Sequence, residues 1–145
     1  MSISFSSANG GLFAANPLRT DRISIKGVNW FGSEGRERML GGLSAHSIDY
    51  YLDFLRRHKF NAIRLLFNHR DVLENPWLEN SIAMRVSLMR GFRSSAHLGG
   101  AVPQRYLDVF RLVAQAAAHY GILVLVCAHR TEESSWPGQG LWYDD

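Results

Sequence analysis

The sequence predicts an α/β fold built on parallel strands, and three observations carry that expectation. Two apolar stretches, residues 62–67 and 122–126, have the length and composition of strands buried in a sheet. Each is preceded by a segment with helical periodicity, residues 47–58 and 104–119. The links from helix to strand are very short, as in an α/β unit. Strand, helix, strand, helix and strand therefore follow one another, and right-handed crossovers would set the strands parallel with the helices outside.

A chain of 145 residues with 46% hydrophobic and 20% charged residues has the size and balance of one soluble globular domain. The net charge is +3, and Lys26 and Lys59 are the only lysines. The arginines are scattered rather than massed, which gives no nucleic-acid stripe. Cys127 is the single cysteine, so neither a disulfide framework nor a cysteine metal cluster is expected. The first residues lack a basic segment followed by an apolar core, and no apolar run is long enough to cross a bilayer; the chain is expected to be soluble, and its localisation stays open.

In chain order, residues 2–21 mix Ser, Gly and Asn with short apolar groups and read as a turn-rich lead-in with a hairpin through Gly10 and Gly11. Residues 23–31 form the first expected strand, alternating at first and more apolar toward Trp30 and Phe31. It closes on Gly32-Ser-Glu-Gly35. That spacing is not G-x-G-x-x-G and no helix opens directly behind it, so a dinucleotide site is not supported.

The first helix has Ser47 as N-cap, Asp49 in its first turn, and Ile48, Tyr51, Leu52 and Leu55 at helical spacing. The next strand carries Arg64 among apolar neighbours. A fixed cation there closes a structural ion pair or points to the polar rim of a site. Residues 70–103 lose all period and read as a long loop with a short helix near residues 82–89, on the carboxyl-end side of a parallel sheet. The second helix places Tyr106, Phe110, Val113 and Ala117 on one face, with Pro103 near its start and Gly121 positioned to end it. Residues 122–126 are expected to be covered on both faces. Cys127, Ala128, His129 and Arg130 follow, and the remainder reads as loop.

Parallel strands collect their polar ends at one edge, where α/β folds form their sites. Asn29, Trp30 and Phe31, then Asn68 and His69, then His129 and Arg130, then Trp142 and Tyr143 would face that edge. Aromatic rings among Asn, His and Arg suit a sugar, whose apolar faces stack on rings while its hydroxyls bond amides and charged groups. The alternative is that Trp30 and Trp142 anchor loops and core.

Gly27-Val-Asn-Trp-Phe-Gly-Ser-Glu34, Gly42-Leu43, Phe60-Asn-Ala-Ile-Arg-Leu65 with Phe67, Gly121-Ile122 leading to Ala128-His-Arg130, and Leu141-Trp-Tyr143 resemble, in that order, the opening part of a glycoside hydrolase family 5 enzyme. This is the cellulase family, whose retaining members are (β/α)8 barrels. The resemblance spans residue 23 to the last residues, and the five blocks in order make it specific. Leu66 stands where many members have proline, and Lys59 replaces a glycine.

The resemblance implies a partial (β/α)8 (TIM) barrel, roughly its first three β/α units, with residues 1–145 as the amino-terminal fragment of the hydrolase domain. It implies that Arg64 is the arginine beside the catalytic nucleophile and His129 the histidine lining the subsite of cleavage, with Trp30, Asn68 and Trp142 as substrate contacts. The substrate would be a β-glucan or related β-linked polysaccharide. No cofactor, metal, nucleic acid or membrane partner is implied.

Retaining glycosidases need two carboxyl groups about 5 Å apart. In the family these are glutamates at the ends of strands four and seven, beyond the three strands expected here. Glu132 and Glu133 are adjacent in sequence and point apart, so they are expected to be solvated loop charges. The chain is therefore expected to lack both catalytic glutamates and to be inactive alone. The alternative is a non-catalytic carbohydrate-binding or interaction module derived from the same fold.

Overall fold

The lead-in folds further than its composition suggests. In the computed structural model, which describes residues 3–135, β1 (Ser4–Ala8), β2 (Gly11–Asn16) and β3 (Arg19–Ile23) form an antiparallel meander. Asn9 and Gly10 join β1 to β2 with φ of 49° and 72°, the two-residue turn whose twist matches the strands it connects. Between β2 and β3 the Asn16 side chain accepts hydrogen bonds from the backbone N–H groups of Leu18 (2.9 Å) and Arg19 (3.0 Å), which closes the second turn.

The expected strand over residues 23–31 is two strands. Ile23 ends β3, and β4 begins only at Gly27 and runs to Trp30. The break has a local cause: the Asn61 side chain accepts from the Lys26 N–H (2.8 Å) and donates to the Ser24 carbonyl (2.7 Å), so a side chain satisfies backbone groups that a ladder would otherwise pair.

Beyond β4 come α1 (Ile48–Arg57), β5 (Ala62–Asn68), α2 (His69–Glu74), α3 (Ile82–Val86) running on into a π-helical segment (Ser87–Arg93), α4 (Tyr106–His119) and β6 (Leu123–Arg130). Strands β4, β5 and β6 pair in that order, all parallel. Ser47 caps α1 as expected, its Oγ accepting from the Tyr50 N–H at 3.2 Å. Gly121 follows α4 at φ 65°. The loop over residues 70–103 contains α2, which the sequence pattern did not show, besides a helix near the expected place.

Both long helices lie on one face of the parallel sheet. Ile48, Leu52 and Leu55 of α1 and Val109, Leu112, Val113, Ala116 and Ala117 of α4 join Ile63 and Leu65 of β5 in one core cluster. Helices on one side of a sheet whose strands follow in sequence order define a singly wound α/β layer, in contrast to a doubly wound sheet covered on both faces. Removing these side chains from water contributes about 1.5–3 kcal/mol for each fully buried Leu, Ile or Val. The meander β1–β3 is a separate sheet.

The expectation that the third strand of this sheet is covered on both faces is not met. Leu125 and Val126 are 60% and 54% exposed, because β6 is the edge of the sheet among the described residues. The opposite face of the sheet is bare as well. Gly27, Asn29, Ala62, Arg64, Leu123 and Leu125 bound an open hollow of about 550 Å³, and Phe5, Leu12 and Ile25 close one side of it.

Candidate functional site

Arg64 stands at the middle of β5, opposite Asn29 of β4 and Leu125 of β6. Period-two alternation puts its side chain on the hollow side, away from Ile63 and Leu65, which enter the helix-covered core. Its guanidinium donates to Asn29 Oδ1 at 3.4 Å and to Cys127 Sγ at 2.8 Å. It makes no ion pair with a described residue, so the structural ion pair that sequence alone left open is absent among the described residues. The group is a part-buried, fixed fork of N–H donors held by neutral partners. Such a group presents positive charge toward whatever occupies the hollow.

His129 lies two residues beyond Cys127, next to the last residue of β6. The pairing slips there: Phe67 faces Ala128 and Asn68 faces Arg130, leaving His129 as the additional residue of the irregularity. Such irregularities re-aim side chains at strand ends. His129 is half-buried.

Behind this edge a polar network ties the strand ends together. Asn68 caps α2, its Oδ1 accepting from the Asp71 N–H at 2.8 Å. Its Nδ2 donates to Asp71 Oδ2 at 2.6 Å and to the Glu34 carbonyl at 3.2 Å. Asp71 is fully buried and pairs with Arg38, which donates through Nε (3.0 Å) and Nη2 (2.9 Å) to Oδ1. That hydrogen bond is the main reason the Arg38 guanidinium titrates above its usual value. Tyr106 Oη donates to the Ser33 carbonyl at 2.8 Å, and Ser33 Oγ to the Leu66 carbonyl at 2.7 Å. Burial pushes the Tyr106 phenol well above its ordinary range, which keeps it a donor. The β4–α1 loop, the end of β5 and the first turn of α4 are thereby fixed to one another.

The expected site residues separate into two groups. Arg64 and His129 stand on neighbouring strands, β5 and β6. Trp30 does not line the hollow: alternation turns it to the helix side, where it packs on the core, meets the Tyr51 ring at 5.4 Å between centroids and donates from Nε1 to the Gly41 carbonyl at 2.9 Å. Its role is that of an anchor. Asn68 is likewise committed, fully buried with both ends of its amide engaged. Trp142 lies outside the described residues.

Glu132 and Glu133 are not solvated loop charges. Glu132 pairs with Arg70 at 2.6 Å and Glu133 lies 3.9 Å from Arg38, pinning the segment after β6 onto α2 and the polar network.

The direct partners of Arg64 are Asn29, which the sequence placed at the polar edge without pairing it to Arg64, and Cys127, which it did not count among the site residues. Asn29 was legible in principle, being one alternation step from Trp30 and so on the opposite face. Cys127 was not, because cross-strand register is a tertiary property. Among the described residues no group of three or more His, Cys, Asp or Glu side chains is placed to hold a metal ion. No helix there is long and apolar enough to cross a membrane.

This singly wound parallel layer is similar in fold to part of endocellulase catalytic domains. The chain superimposes on the endocellulase of the archaeon Pyrococcus horikoshii with a TM-score of 0.72, over 91% of this chain and 32% of that one, at 23% identity. A structure of that protein in complex with cellotetraose gives a TM-score of 0.69. The catalytic domain of the major endoglucanase of Xanthomonas campestris pv. campestris matches over 79% of this chain and 30% of its own, with a TM-score of 0.58 and 22% identity.

In sequence the chain is 28% identical over 124 residues to an endoglucanase of Paenibacillus polymyxa, covering 83% of this chain and 27% of that protein. The chain thus spans about a third or less of the length of the relatives it matches. No family model matches it.

Proposed function

We propose that this chain is the amino-terminal part of a family 5 glycoside hydrolase, the first three β/α units of a (β/α)8 barrel, contributing one wall of a cleft for a β-linked glucan. The observation that carries the reading is Arg64. It is a guanidinium on the open face of a singly wound parallel layer, held by Asn29 and Cys127 and without a described carboxylate partner. In a retaining hydrolase that position calls for a carboxylate nucleophile, and the cation would favour its ionised form. His129, on the adjacent strand, would line the same wall.

The hollow bounded by Ala62, Leu123 and Leu125 is the interior that further strands would fill. In this reading the two glutamates of double displacement lie outside these 145 residues, and the chain is expected to bind sugar without turning it over. The test is an assay of the purified chain on a soluble β-1,4-glucan, alongside calorimetric titration with cellotetraose. The expected result is binding, weakened by Arg64→Ala, with no release of reducing ends. Hydrolysis by the chain free of contaminating enzyme, or no binding at all, would overturn the proposal.

A further inference from the structure

A large aromatic side chain stands in the open on the carboxyl-end side of the parallel sheet. Trp77 is 63% exposed, in the segment between α2 and α3. Its location follows from pairing. Trp77 forms an antiparallel bridge with Arg105, the N-cap of α4, supported by the Leu78 N–H bond to the Gln104 carbonyl and the Tyr106 N–H bond to the Pro76 carbonyl. The opposite end of α4 feeds β6 at its beginning, where the Leu123 N–H bonds the Asn61 carbonyl. The helix therefore runs against the strands, so Trp77, beside the amino terminus of α4, lies at the level of the carboxyl ends of the strands, toward which Arg64 reaches Cys127 and near which His129 stands on β6.

The ring is also held still. The Arg105 guanidinium lies over it, 4.2 Å from the ring centroid, and is itself fixed by donating to the Asn75 carbonyl at 3.2 Å. Asn75 turns the chain in the left-handed region at φ 44°, and its Oδ1 accepts from the Leu107 N–H at 3.0 Å. One ring face is thus stacked on a cation while much of the rest is left to solvent, with the polar, exposed Glu79 and Gln104 close by in sequence and pairing.

Burying Trp77 in the core would have been the ordinary use of so much apolar surface; holding it rigid and open favours a flat ligand that is apolar on its faces and polar on its rim. A chain of equatorially substituted pyranoses has that shape and chemistry.

We infer that Trp77, backed by Arg105, is a stacking platform for a sugar unit of the polysaccharide, on the carboxyl-end side of the sheet that carries Arg64. The inference rests on the carbohydrate reading above and adds to it a subsite that the sequence motifs did not mark. The test is calorimetric titration of cellohexaose into the full chain, its Trp77→Ala and Trp77→Phe variants, and an Asn29→Ala variant. Unfolding midpoints serve as the control for folding.

Trp77→Ala is expected to weaken binding by about tenfold, the scale of a lost ring contact. Trp77→Phe should retain most of the affinity, and both should keep the parent's unfolding midpoint. A parent chain that binds cellohexaose and is weakened by Asn29→Ala but not by Trp77→Ala overturns the platform alone. A parent that binds no cellohexaose overturns the platform and the carbohydrate reading together.

Discussion

Asp71 shows how a single buried residue can tie a strand end to the helix and loop beside it. It is fully buried, accepts from Asn68 and Arg38, and its own N–H is capped by Asn68. Removing it leaves Arg38 without its nearest counter-charge and takes one acceptor from the Asn68 amide nitrogen, and Arg38 is itself only 19% exposed at its side chain. Asp71→Ala is expected to destabilise the chain by about 3 kcal/mol, measured by urea unfolding. The double variant with Arg38→Met should recover part of that loss, since the stranded charge goes with it. A cost for the double variant equal to the sum of the two single costs would show that the pair is not coupled.

The same network explains why a strand-end asparagine is a poor indicator of substrate contact. A short amide at the junction of a strand and a helix is as well suited to capping as to binding, and only burial tells the two apart.

At the scale of elements, the ends of helices and one glycine carry the testable consequences. The N–H of Arg105 (3.0 Å) and that of Gln104 (3.2 Å) donate to the Asp108 carboxylate, which closes the start of α4. The Arg105 bond is the main reason this carboxyl titrates below its usual 3.8. A depressed folded-state value means that the stabilisation is complete above the unfolded-state value and is lost as the pH falls through the lower, folded one. Asp108→Asn is therefore expected to cost about 1 kcal/mol at neutral pH. Urea unfolding of the two proteins should show that difference shrinking as the pH drops below 3.8.

Gly32 sits at φ 120°, where an added Cβ would collide with the Met39 carbonyl oxygen. The Gly32 N–H also bonds Glu34 Oε2 at 2.8 Å, so the turn leaving β4 has no slack. Gly32→Ala is expected to lower the thermal midpoint clearly, whereas Gly99→Ala, at φ 58° with open space around it, should lower it less. Equal midpoints for the two variants would contradict the crowding argument.

For the molecule as a whole, the parallel layer has one covered face and one bare one. Leu125 and Val126 on β6 are exposed, on either side of an edge unpaired among the described residues. Exposed apolar strand edges favour association. Sedimentation of the chain is expected to show mass increasing with concentration, and Leu125→Lys should reduce it; a chain that stays monomeric would show the hollow to be closed by other means.

The sequence by itself determined the order of the parallel strands and the long helices, because hydrophobic period, caps and short links are local quantities written in neighbouring residues. It also marked Arg64 and His129, since a cation inside an apolar strand and an imidazole at a strand end stand out without any knowledge of register. It could not determine that Trp30 turns inward to the helices and Asn68 is consumed as a cap. Nor could it show that Asn29 and Cys127 hold the guanidinium. Those outcomes depend on which strand face meets which neighbour, and a shift of one residue in register reverses every face, so only the assembled tertiary structure decides them.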